Sequence, residues 1–173
     1  MKHYIFVLIS FLLLISSCKK EDKKNNTPIQ KTGMDIPVTY AKPAQLDNTS
    51  SKEIKKWKEY FIVADFITQL ENTTPTEALN NALELKTLTK QLKDSLNIKT
   101  LQTPAFKARI NVFENEVLRL ADITYISSIT SKEVNNHIKK IHLLFGGINT
   151  KINTVYAKKR FDKAIKLDSL FNF

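Results

Sequence analysis

The sequence predicts an all-α fold: an antiparallel, up-down four-helix bundle. Three observations predict it. From Ser51 onward apolar residues recur three and four positions apart, the period of a helix face rather than the alternation of a strand. Helix-start chemistry precedes each periodic stretch, as a capping box or as Thr-Pro. Glycine (3) and proline (5) are scarce in 173 residues, too few for the turns an all-β chain needs.

The first segment starts at Ser50 or Ser51, where Ser50-x-x-Glu53 fits a capping box. Ile54, Trp57, Phe61, Ala64, Ile67 and Leu70 then fall on one side. The second begins at Thr74-Pro75-Thr76-Glu77, with a seam through Ala78, Ala82, Leu85, Thr89, Leu92 and Leu96. The third begins at Thr103-Pro104 and runs Phe106, Ile110, Phe113, Val117, Leu120, Thr124, a heptad seam. The fourth opens with Thr130-Ser131-Lys132-Glu133 and runs from Val134 through Ile138, Ile141, Phe145, Ile148 and Ile152 to Val155. No amphipathic helix buries its stripe alone, so the four share one core. Gly146-Gly147 interrupts the fourth segment in composition but not in phase. A continuous helix is expected there, with a bulky ring, Trp57 or Phe113, approaching the pair. The sharper alternative is that Gly146 and Gly147 form a ligand notch.

The only cysteine, Cys18, stands where an apolar run ends and a charged one begins. Ile5–Ile15 is shorter than the roughly 20 residues a membrane-crossing helix needs and has the length of a signal-peptide core. The tetrad Ile15-Ser16-Ser17-Cys18 resembles the lipobox of bacterial lipoproteins. That resemblance implies a signal peptide over residues 1–17 and cleavage before Cys18. It also implies diacylglycerol on the Cys18 sulfur, with a further acyl chain (palmitate or its like) on its amine. Several acyl chains hold a protein on a membrane where one binds only marginally. The charged stretch Lys19–Lys24 (KKEDKK) resembles the patch that follows the lipidated cysteine in surface-exported lipoproteins of Bacteroidota. By the lipoprotein sorting rule, Lys19 in place of Asp implies the outer membrane. The chain therefore resembles small surface or outer-membrane lipoproteins of Bacteroidota, facing the periplasm or the exterior. Residues 18–50 lack an apolar period and carry Pro28, Pro37 and Pro43. They read as a flexible tether, with Ile36–Tyr40 the piece suited to dock. The bundle then occupies residues 51–173.

Sites of chemistry are sparse. Glu-x-x-His repeats, which build di-metal centres in bundles, do not occur. His137 and His142 lie five positions apart, about 140° around a helix, and cannot share a metal; each reads as a solvated or edge-packed histidine. Asp65 and Asp122 border apolar stripes, and Arg109 and Arg119 are expected at bundle edges. No phosphate loop or haem-attachment motif is present. The expectation is a non-enzymatic protein without a cofactor. The net charge is +10. Its excess gathers at Lys52, Lys55, Lys56 and Lys58 and again from Lys151 to Lys166. An exported protein does not meet nucleic acid, so an acidic envelope protein or an anionic glycolipid is the expected partner. Lys159, Lys163 and Lys166 are the expected interaction face. The alternative function is a carrier holding a small ligand in the bundle interior, haem or metal being its least favoured forms. Asp94-Ser95-Leu96 and Asp168-Ser169-Leu170 resemble the short O-glycosylation motif of Bacteroidota.

Overall fold

Capping chemistry decides where the first helix begins, and it acts three residues before the expected Ser50–Glu53 box. In the computed structural model, which describes residues 32–165, Asp47 and not serine is the N-cap. Its carboxylate accepts from the Ser50 N–H at 2.6 Å and the Thr49 hydroxyl at 2.6 Å. These bonds hold the Asp47 carboxyl below its usual range. Helix α1 spans Asn48–Ile54 and α2 spans Lys58–Gln69. The single helix expected from Ser51 is thus broken at Trp57, which adopts φ −89° and ψ 78°. The break lets the indole turn inward, where its Nε1–H donates to Ser95 Oγ at 3.0 Å and the Leu92 carbonyl at 3.3 Å. A buried indole N–H needs such a partner.

The second capping box forms as expected. Glu77 N–H reaches Thr74 Oγ1 at 3.1 Å, and Thr74 N–H reaches Glu77 Oε2 at 2.9 Å. Helices α3 (Pro75–Asn80) and α4 (Ala82–Asp94) follow. The joint at Asn81 is slight, because the Asn81 N–H still bonds the Glu77 carbonyl and the Leu85 N–H bonds Asn81. A 3-10 turn over Lys99–Leu101 leads to α5 (Pro104–Ile123), capped by Thr103. Helix α6 runs unbroken from Ser131 to Ile165, through both glycines, with the Thr130–Glu133 box closing its start. The described residues are mainly helical, with one antiparallel ladder of two pairs: β1 (Val38–Thr39) on β2 (Asn72–Thr73).

The apolar stripes meet in one core. Helix α5 packs along α6 and α4, and α2 along α4. Aromatic rings fill the centre: Trp57 against Phe106 at 6.2 Å, Tyr60 against Phe145 at 5.8 Å, and Phe113 against Phe145 at 5.6 Å between centroids. Each ring buried fully contributes about 1.5–3 kcal/mol. Thr89 sits inside this core with its hydroxyl unpartnered. Thr89→Val keeps the shape and removes the stranded polar atom. It should stabilise the fold by about 1 kcal/mol, read as a higher chemical-denaturation midpoint.

The largest departure from expectation lies before the first helix. Residues 32–47 are not a free tether; they form an extended strap over α6 and α3. Gly33 turns the chain at φ +82°, a left-handed conformation that glycine adopts without strain. The Thr32 carbonyl accepts from Ser131 Oγ, and the Met34 carbonyl from the Thr76 N–H. Met34, Tyr40 and Pro43 are buried. The expected boundary at residue 50 therefore moves to about residue 32. The signal-peptide region, Cys18, the earlier tether, Lys166 and Asp168-Ser169-Leu170 lie outside the described residues.

The neighbour of Gly146 is this strap and not a ring. A Cβ on Gly146 would lie 2.8 Å from the Ala44 backbone nitrogen, whereas one on Gly147 meets nothing within 4 Å. The two glycines should respond oppositely to alanine. Gly147→Ala gains helix propensity and should raise stability by up to about 1 kcal/mol. Gly146→Ala must displace the strap and should lower the melting temperature. Equal responses in a thermal melt would contradict the packing described.

Candidate functional site

Helix α6 carries two rows of side chains beside its apolar seam. One row grips the strap. Asn135 Oδ1 accepts from the Tyr40 hydroxyl at 2.7 Å. His142 Nδ1 lies 3.2 Å from the Ala41 carbonyl. Asn149 Nδ2 donates to the Ala44 carbonyl at 2.8 Å. Asn153 donates to the Gln45 carbonyl at 2.9 Å and accepts from the Asp47 N–H at 3.0 Å. The row answers backbone groups that the strap, having no sheet on that side, would otherwise leave unpaired.

The other row is exposed: Asn136, Lys139, Leu143, Gly147 and Thr150. Between it and strap residues Val38–Ala44 runs an open groove of about 740 Å³. Leu143 is 74% exposed on its flank, and Gly147 leaves a bare stretch of helix backbone. Lys42 and Lys139 are the charged residues of the lining, which holds no carboxylate. Lys42 reaches Glu71 at 3.5 Å beyond the rim.

His142 also lines this groove. It was expected at an edge; it is 2% exposed. A carbonyl only accepts, so Nδ1 carries the proton and the neutral ring presents a bare Nε2. That nitrogen has no hydrogen-bond partner. Burial holds the imidazole below its ordinary pKa, against the opposing pull of the Ala41 carbonyl and the Glu71 carboxylate. Burial likewise pushes Tyr40, whose ring lies 5.5 Å away, up to about 12.

His137 bonds elsewhere. Its Nδ1 lies 2.7 Å from Glu116 Oε1. Glu116 is 4% exposed, and its oxygens also meet Arg119 at 3.2 Å and Lys140 at 3.7 Å. This cluster ties α5 to α6, one carboxylate answering two cations and an imidazole. A carboxylate can orient an imidazole for proton transfer, but the two cations draw on the same carboxylate. Among the described residues no group of three or more His, Cys, Asp or Glu is placed to hold a metal. Asp65, Asp122, Arg109 and Arg119 are exposed.

Of the expected basic face, Lys159 is engaged inside the chain. Lys159 pairs with Glu53 at 3.0 Å and lies 5.5 Å over the Tyr156 ring. Lys158 pairs with Asp162 at 2.8 Å, and Arg160 lies 3.9 Å from Asp47. Lys163 is exposed. Ser95, the centre of the first glycosylation-like triplet, accepts the Trp57 N–H and donates to the Leu92 carbonyl. A glycan on Ser95 would remove the hydrogen that Ser95 donates to Leu92. A second, smaller cleft of about 340 Å³ lies beside that triplet, lined by Lys93, Asp94, Leu96, Lys107, Ile110 and Asn111.

No known family, curated protein or solved structure matches the chain. No helix among the described residues is long and apolar enough to cross a membrane.

His142 gives the strap a pH dependence. The unfolded ring protonates at its ordinary value, about 6.5, and the folded ring only at lower pH. Its contribution to stability is complete above about pH 6.5 and is lost as the pH falls toward the lowered folded value. Melting temperatures measured from pH 8 to pH 5 should fall more steeply for the natural protein than for His142→Gln. Parallel curves would remove His142 as the titrating group.

Proposed function

We propose that the chain is a lipid-anchored, non-enzymatic binding protein of the cell envelope, moored by acyl chains on Cys18 and facing the periplasm or exterior from the outer membrane. Its body is an up-down helical bundle with four arms, a reading supported by the short links and single core. The groove between strap and α6, with Gly147 open on it, carries the functional reading. It is an open slot beside a core already filled by rings, so capture at the surface is favoured over a ligand held in the interior. The Lys159 face is given less weight because Lys159 itself pairs with Glu53. The acyl anchor rests on the lipobox-like tetrad before Cys18.

The anchor is tested by fractionation and acyl labelling. The natural chain should take up a palmitate analogue and partition with membranes, and Cys18→Ala should do neither. Unmodified Cys18 in protein from its native host would refute the anchor.

A further inference from the structure

We propose that the groove takes an extended acidic peptide segment of another protein, laid between the strap and α6. This rests on reading the chain as a binding protein and names the class of its partner.

The groove is a slot with two long walls. The strap wall, Val38–Ala44, extends about 23 Å at strand rise. The exposed α6 row from Asn136 to Thr150 extends about 22 Å at helical rise. Walls of matched length suit a linear occupant.

The strap offers that occupant backbone. The Tyr40 N–H bonds the Glu71 carbonyl at 2.9 Å, and Val38 stands opposite Thr73. Antiparallel pairs alternate, so residues 40 and 38 turn their backbone groups toward β2, while Thr39 turns its N–H and C=O to the other edge. Ala41, next along that edge, gives its carbonyl to His142 on α6. The edge therefore faces α6, and Thr39 lines the groove there. An extended peptide supplies the N–H and C=O groups that such an edge lacks. On the facing α6 wall stands His142, whose Nε2 is buried and without a donor.

Shape and charge narrow the class. Gly147 leaves room where any side chain would intrude, and Leu143 gives an apolar flank. Lys139, which has no ion pair among the described residues, and a lining without carboxylates favour acidic side chains and disfavour basic ones; Lys42 adds a positive charge shared with Glu71.

The test uses the full chain in detergent and two fluorescein-labelled hexapeptides, one alternating glutamate with valine and one alternating lysine with valine. The glutamate peptide should bind saturably, less tightly as salt rises, and the lysine peptide at least tenfold more weakly. Gly147→Leu fills the slot where the structure has open space, and should cut affinity at least tenfold while circular dichroism stays native and the melting temperature is not lowered. Lys139→Glu should also weaken binding, and Lys90→Glu on α4 should not. The proposal is overturned by no saturable binding, by equal binding of the two peptides, or by undiminished binding to folded Gly147→Leu. Competition by N-acetylglutamate as strong as by unlabelled hexapeptide would overturn it in favour of a small-acid site. A protein that labels at Cys18 yet ignores both peptides loses this proposal and keeps the anchored reading, because the two are read at different residues.

Discussion

The strap's grip on α6 is the constraint from which most of the structure follows. It depends on one close approach and one row of amides. The approach is at Gly146, where the backbone of Ala44 comes too near for a side chain. The amides satisfy the strap's carbonyls on the helix side. Asn149 joins three elements at once, accepting from the Tyr60 hydroxyl of α2 at 2.8 Å while donating to Ala44. A buried amide with both ends used fixes a position as well as contributing energy. With the strap seated, Met34 and Tyr40 close the edge of the core, and the same seating creates the groove between the strap and the exposed row of α6.

Charge is arranged by a different logic from the one its total suggests. The chain is strongly basic in sum, yet the cations of late α6 face carboxylates from Asp47, Glu53 and Asp162. Such exposed pairs contribute little stability, about 0–1 kcal/mol each. They do reduce the field that a run of lysines would project. Glu116 is the costlier case, a carboxylate taken nearly out of water and compensated by His137, Arg119 and Lys140. Lys139, beside the groove, has no such partner among the described residues.

Helix identity was legible because seams and capping boxes are local: Thr74–Glu77, Thr103-Pro104 and Thr130–Glu133 each act within one turn. The break at Trp57 was not, because its cause, a hydrogen bond to Ser95, lies 38 positions away. The strap was hidden for a related reason. Its Met34, Tyr40 and Pro43 have no period of their own, and only the helix they lie on makes them core. A trace did exist in α6: Asn135, His142, Asn149 and Tyr156 recur every seven residues beside the seam. A heptad row of hydrogen-bonding side chains with no lysine or glutamate among them marks a face that is covered, not solvated. Glu116 gave no such trace, since an acid next to a seam residue usually reaches water. The glycine pair was legible as a special place, but its two members do different things, and only the position of the strap separates them.

The strap also sets an order of assembly. Thr32, Ala41, Ala44 and Gln45 bond residues 99 to 108 positions later. Contacts of such long loop closure form after local ones. In a chain made from its first residue onward, the strap's seat is synthesised after the other helices it closes over. Until α6 has emerged, the earlier helices must hold together with Tyr40 and Met34 still outside. Completion of the core and opening of the slot are thus one event, timed by α6.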